Sequence, residues 1–210
     1  MRPAIIGITG RSGSGKTTLV QKLREYLDKN DLSVHSLDDY YLDRSSQIED
    51  SDGYYNFDLP TSFDRNGYHL NLLELIKGHD IRIQEYSYNE QKTPSIKVIS
   101  SAPIIIVEGL FINHFSEIHH LINYHIFVKL DKEECFNRRM LRDTQERNYG
   151  AVEVSHRFNQ HAEPAFIDYI TPFEKSSDLT LINDCNYEEN PKFKELTRLL
   201  KTYIKKRGEF

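Results

Sequence analysis

Apolar residues along the chain follow two patterns that alternate. Short, dense runs come at 4–9, 33–37, 103–107, 124–130 and 178–183, mostly Ile, Val and Leu. Runs of that length bounded by polar turns read as strands buried on both faces. Between them, apolar positions recur at three- to four-residue spacing near 16–29, 69–77, 131–147 and 151–170, which predicts amphipathic helices. A last helix over about 191–206 carries Phe193, Leu196, Leu199, Leu200, Tyr203 and Ile204 on one face and most of its Lys and Arg on the other. Strands alternating with helices predict right-handed crossovers, and so an α/β fold: a five-stranded parallel sheet with helices on both faces. A ligand then sits beyond the carboxyl ends of the strands.

Two stretches break that rhythm. Residues 40–66 are rich in Asp, Ser, Tyr and Asn with little periodicity, and a loop that long inside a compact domain is usually functional. Residues 81–99 alternate weakly through Ile81, Ile83, Tyr86, Tyr88, Ile96 and Val98, around a turn at 89–94. They read as a small β-hairpin insert appended to the main sheet. With 210 residues and no repeats or low-complexity linker, a single domain over 1–210 is expected.

Composition narrows the classes. A net charge of −5 argues against a general nucleic-acid binder, which carries a basic surplus. No apolar stretch approaches the roughly 18 residues of a membrane span. Met1 runs almost directly into the first strand, so no signal peptide and a cytoplasmic location are expected. Cys135 and Cys185 lack metal-ligand spacing and are expected as reduced thiols. The nine histidines are scattered. The adjacent pair His119-His120 reads as surface or loop, since no Cys or further His sits at ligand spacing.

Chemistry enters at Gly10-Arg11-Ser12-Gly13-Ser14-Gly15-Lys16-Thr17, followed by Thr18. This is the pattern G-x-x-x-x-G-K-[ST], lying between a predicted strand and a predicted helix. Its glycines let backbone N–H groups curl around phosphate oxygens, Lys16 adds a point charge, and the Thr17 hydroxyl suits Mg²⁺. A helix N-terminus after the loop favours the same anion. The loop alone does not choose between a kinase, a GTPase switch and an ATPase motor. No N-K-x-D base reader is present. Asp50–Gly53 and Asp64–Gly67 match D-x-x-G without following a strand, and no Ser-Gly-Gly transporter signature occurs.

Asp38 and Asp39 come directly after the second predicted strand. A carboxylate there faces the γ-phosphate and is placed to take a proton from an attacking hydroxyl, although capping the next turn is the alternative. Glu108 ends the third strand, where a Mg²⁺ ligand or a structural carboxylate belongs. Arg138, Arg139, Arg142 and Arg147 form an arginine-rich lid over about 138–150, with 138, 142 and, less closely, 139 on one side of a helix. Planar guanidinium forks suit a transferring phosphoryl group.

These residues, with Asn56-Phe57-Asp58-Leu59-Pro60-Thr61-Ser62-Phe63-Asp64, Tyr86-Ser87-Tyr88, Val107-Glu108-Gly109 and Pro164-Ala165-Phe166, make the chain resemble the uridine/cytidine kinases. Those are P-loop kinases, with phosphoribulokinase and pantothenate kinase as cousins. The resemblance implies ATP as donor and Mg²⁺, the latter served by Thr17 and Glu108. It implies Asp38 as base for a 5′-hydroxyl, with Lys16, Arg142 and Arg147 on the phosphates. It implies Asp58 on the ribose with Arg139 assisting, Phe57 against the base, and Tyr86 and Tyr88 lining the pocket. A small-molecule acceptor and a homo-oligomer, often a tetramer, are further implications.

Three positions depart from that family's pattern. Gln91 stands where a His usually reads the pyrimidine edge. Glu146-Arg147-Asn148-Tyr149 replaces E-R-G-R, and Arg157 replaces a Gln. All three belong to base recognition, so phosphoryl transfer to a hydroxyl is the firmer expectation. Another riboside, pantothenate or a sugar phosphate as acceptor remains an alternative, as does a catalytically inactive nucleotide-binding regulator or a substrate-independent NTPase.

Overall fold

The computed structural model describes residues 2–87, 95–184 and 186–208. In chain order it runs β1 (Ala4–Gly10), α1 (Lys16–Tyr26), β2 (Leu32–Ser36), β3 (Ile48–Glu49), β4 (Tyr55–Asn56), α2 (Arg65–Lys77), β5 (Ile81–Gln84) and β6 (Ile96–Ile99). It continues through β7 (Ile104–Glu108), α3 (Ser116–His119), β8 (Tyr124–Lys129), α4 (Lys132–Gln145), α5 (Ala151–His156), α6 (Glu163–Ala165), β9 (Leu179–Ile182) and α7 (Pro191–Gly208).

The main sheet has five strands, all parallel, in the order β2-β7-β1-β8-β9. Its pleat divides the core in two. Ile5, Ile105 and Phe127 point to one face, against Leu72 and Leu75 of α2, Phe111 and Ile170. Ile6, Ile8, Ile126 and Val128 point to the other, against Leu19 and Leu23 of α1 and Phe193, Leu196 and Leu200 of α7. Alternate residues of one strand thus feed different layers, as a two-fold side-chain period requires.

The expected elements appear with shifted ends. The helix expected at 69 starts at Arg65, because the Asp64 carboxylate accepts from Gly67 N at 2.9 Å and caps it. The second strand ends at Ser36, and Leu37 opens a 3₁₀ turn over Leu37–Tyr40. On α7, Leu199 is 47% exposed and lies off the apolar face. The helix expected over 151–170 is a rod of changing pitch: α5, a π stretch at Arg157–Ala162, α6, then a second π stretch at Phe166–Ile170. β5 and β6 form the expected hairpin as a two-stranded sheet of its own, tied to the main sheet's edge by Lys97 donating to Asp39 at 2.8 Å. The turn at 89–94 and Cys185 lie outside the described residues. No described helix is long and apolar enough to cross a membrane.

Candidate active site

The cleft lies beyond the carboxyl ends of the strands and encloses about 500 Å³. Its floor is the loop between β1 and α1. Gly13 and Gly15 take φ of +83° and +96°, where L side chains rarely go. A Cβ on Gly13 would collide with the Cys135 carbonyl, and one on Gly15 with the Asn183 amide. The loop is pinned from below: Asn183 Nδ2 donates to Ser14 O at 2.8 Å, and the Tyr187 hydroxyl donates to Gly15 O at 3.0 Å. Arg11 pairs with Glu163 and lies 3.9 Å over the Phe166 ring, fixing the loop to the rod. Ser12, Gly13, Gly15, Lys16, Thr17 and Thr18 line the cleft, while Ser14 is buried beneath them.

Lys16 Nζ donates to the carbonyls of Gly10 and Arg11 at 3.1 and 3.2 Å. Burial lowers its pKa, opposed by the nearby Glu108 and Asp38 carboxylates. Glu108 sits in register with Ile8 and Ser36, one on each neighbouring strand, so the Ser36 hydroxyl reaches its carboxylate. Burial first, then Asp38, pushes the Glu108 carboxyl up to about 7. Asp38 lines the cleft, whereas Asp39 turns away to Lys97. The side-chain-free cradle at Gly13 and Gly15, with Lys16, fits a polyphosphate. The oxygens of Thr17 and Glu108 are hard ligands of the sort Mg²⁺ takes.

The opposite wall is built from α4 and the 40–66 segment. Arg139 donates to Asp58 through both arms of its fork, Nη1–Oδ1 at 3.1 Å and Nη2–Oδ2 at 2.9 Å. Its Nε donates to Asp143 at 3.2 Å, and Asp143 also receives Arg142 Nε at 2.8 Å and faces Arg147 Nη1 at 3.3 Å. Burial opposes the Arg139 charge, but the Asp58 and Asp143 carboxylates together outweigh it and raise the pKa. Burial alone would raise Asp143; Arg142, Arg147 and Arg139 hold it below the usual carboxylate range. Arg139, Arg142 and Arg147 are thus gathered around one buried acid. Arg138 pairs with Glu134 and also lines the cleft, on the same side of α4 as Arg142.

At the far end of the cleft, the Arg157 guanidinium lies 4.5 Å from the Tyr149 ring centre and 5.5 Å from that of Phe57. Tyr41 bridges Phe57 at 5.9 Å and Tyr86 at 5.2 Å, and burial pushes the Tyr86 hydroxyl up to about 12. Asn148 holds φ of +59°, a left-handed turn that asparagine tolerates where the resembling family has glycine. Tyr88 and Gln91 lie outside the described residues. The sequence reading passed over Asp143, Tyr41, Asn183 and Tyr187. Asp143 had a signal: it stands four residues after Arg139 and four before Arg147. The other three reach the site only through the fold.

A parallel sheet in this order, a phosphate loop at its first strand and an arginine-bearing helix facing that loop define a P-loop kinase, a phosphotransferase with an alcohol acceptor. Residues 5–185 match the family described as Phosphoribulokinase / Uridine kinase family, and the chain belongs to that family. It is similar to a protein named uridine kinase from Chlamydia pneumoniae, 30% identical over 203 residues, 95% of this chain and 90% of that one. Uridine-cytidine kinase B of Dictyostelium discoideum is 30% identical over 180 residues, 85% of this chain and 74% of the relative. Among solved structures, a possible uridine kinase from Bacillus stearothermophilus shares the fold at a TM-score of 0.58 and 19% identity, covering 86% of this chain and 89% of that one.

Proposed function

We propose that the protein transfers the γ-phosphoryl group of ATP to the 5′-hydroxyl of a nucleoside of the uridine or cytidine kind, or to a closely related ribose-like alcohol. The observation that carries this reading is Asp38: one cleft holds its carboxylate, the phosphate loop and the Asp58–Arg139 pair. In this reading Asp38 accepts the hydroxyl proton as the oxygen attacks. Asp58, oriented by Arg139, accepts hydrogen bonds from the ribose hydroxyls. Lys16, Arg142 and Arg147 spread the charge that develops on the transferring group. Bound at Thr17 and Glu108, Mg²⁺ supplies charge neutralisation to the donor phosphates. The Arg157 guanidinium against Tyr149 and Phe57 favours an acceptor with oxygen atoms at its distal edge, as a pyrimidine's carbonyls would be.

A coupled assay of ADP release over nucleosides, other ribosides, pantothenate and sugar phosphates tests this. The expected result is acceptor-dependent turnover, greatest with a pyrimidine nucleoside. Tight ATP binding with no phosphorylated product from any acceptor would overturn it, as would hydrolysis that ignores the acceptor.

A further inference from the structure

A second constellation lies outside the phosphate cradle. Asp50 in the 40–66 segment and His156 and His161 in the rod bring one carboxylate oxygen and two imidazole nitrogens within 4.8 Å of one another. Asp50 Oδ2 is 2.7 Å from Nε2 of each ring. The carboxylate is fixed from behind, because its Oδ1 accepts from Asp52 N and Tyr54 N, both at 2.9 Å. The His156 ring packs on Tyr54, 4.6 Å between centres, and its Nδ1 stands 3.8 Å from Asp52 Oδ2. A carboxylate behind a ligating imidazole is a common way to orient one.

The spacing of the two histidines makes their meeting informative. Residues five apart on a regular α-helix point about 140° from each other. Here the rod passes into its π stretch at Arg157–Ala162, where bonds run from i to i+5, and both rings reach the same oxygen. Such stretches frequently occur at functional sites.

The donor set then chooses the ligand. Two imidazoles and a carboxylate suit Zn²⁺ and its neighbours in the first transition row, whereas Mg²⁺ prefers oxygen throughout. Tetrahedral ligands at the usual zinc distances lie about 3.3 Å apart, so each contact has to open by roughly half an ångström. The two ring nitrogens, within 4.8 Å of one another, have to draw together as the carboxylate contacts open. The Asp50 and His156 side chains retain 22% and 17% of their exposure, leaving one side open for entry and for a water as fourth ligand.

We propose that Asp50, His156 and His161 bind one divalent ion of the zinc class, separate from the Mg²⁺ position at Thr17 and Glu108. The ion ties the 40–66 segment to the rod. That segment carries Phe57 and Asp58, and the rod carries Arg157, so the site clamps two walls of the acceptor pocket. The inference is independent of which alcohol is phosphorylated.

The test is a Co²⁺ titration of tag-free, chelator-stripped, nucleotide-free protein, followed by visible absorption and calorimetry, with Zn²⁺ as competitor. The expected result is saturation at one Co²⁺ per chain, ligand-field bands of a nitrogen- and oxygen-bound ion, and displacement by one equivalent of Zn²⁺. Asp50→Asn and His156→Gln weaken binding at least about ten-fold, while His120→Ala leaves it unchanged. Zn²⁺ raises the melting temperature of the wild type and not of His156→Gln. His156 is the more exposed imidazole, so its variant remains informative if substitution of buried His161 prevents folding. Absence of saturable binding to the wild type, or unchanged binding in both ligand variants, leaves only a hydrogen-bonded clasp and overturns the proposal.

Discussion

The two ends of the cleft are made of different material. The phosphate end is backbone: one unbroken stretch, Gly10–Thr18, shaped by positive φ at Gly13 and Gly15 and pinned through carbonyls by Asn183 and Tyr187. The acceptor end is side chains. Phe57 and Asp58, Tyr86, Arg139, Tyr149 and Arg157 come from separate parts of the chain and meet through ion pairs and ring contacts. A backbone cradle tolerates little change, since a Cβ at Gly10, Gly13 or Gly15 collides with its neighbours. A side-chain pocket can be altered residue by residue while the fold stays the same. The departures at Tyr149 and Arg157 both fall in the second kind of structure. Under the proposed function this separates the reaction from the choice of acceptor, and substitutions at each end should behave accordingly.

The largest effect is expected at Asp38. Asp38→Asn keeps the shape of the cleft and removes the proton acceptor of the proposed mechanism, which general-base catalysis values at about 10²–10⁴ in rate. Turnover should fall by that factor for every acceptor alike, while ATP affinity, read by calorimetry, stays within a few-fold. A loss confined to some acceptors would break the division between the two ends.

Arg139 tests how the acceptor end is held. Arg139→Ala leaves Asp58, 5% exposed, without the guanidinium that compensates it. Removing one partner of a buried pair typically costs about 3–5 kcal/mol, measured here as a lowered urea midpoint. Replacing both partners, Asp58→Leu with Arg139→Met, should recover most of that stability and still give no transfer to a riboside. Recovery of transfer as well would mean that Asp58 does not touch the acceptor.

The same division explains what the sequence could convey. The five main strands, the phosphate loop and the lid helix were legible because each is a local pattern: a β-branched run, a glycine spacing or an apolar period. The start of α2 was hidden because Asp64 reads equally well as loop or as cap. The Asp143 hub was visible in principle, at helical spacing from its arginines. The meeting of Asp50 with His156 and His161 was not, since it needs a π stretch and a contact across more than a hundred residues. Asn183 and Tyr187 likewise reach the loop only because β9 lies beside β8, the neighbour of β1, and α7 packs against α1.

His35 probes the packing between β2 and α2. It stacks on Tyr68 at 4.1 Å, meets Tyr40 edge-on at 5.2 Å, and its Nε2 lies 3.1 Å from Tyr68 O. Burial lowers its pKa from 6.5 to about 4, despite the opposing hydrogen bond. The unfolded chain therefore takes up the proton first. The stability tied to neutral His35 is complete above pH 6.5 and is lost as pH falls toward 4, by about 3 kcal/mol. Urea titrations between pH 7 and pH 4 should show that decline in the wild type and a flatter one in His35→Gln. Parallel declines would assign the acid sensitivity elsewhere.

The smallest expected effect is the most selective. Arg157 is buried, 5% exposed, yet lines the cleft, with Nη2 at 2.7 Å from Glu153 and its plane against Tyr149 and Phe57. A cation over an aromatic ring contributes about 0.5–2 kcal/mol, so Arg157→Gln should shift the acceptor KM by roughly two- to thirty-fold by that range. It should leave the KM for ATP unchanged, and kcat within about two-fold, because no transition-state contact is lost. The direction should depend on the acceptor: weaker for one with carbonyl or anionic oxygens at its distal edge, unchanged for one that ends at the ribose. Steady-state kinetics on both kinds of acceptor read this directly. A uniform fall in kcat would place Arg157 with the phosphate end, and the boundary between the two halves of the cleft would then have to move.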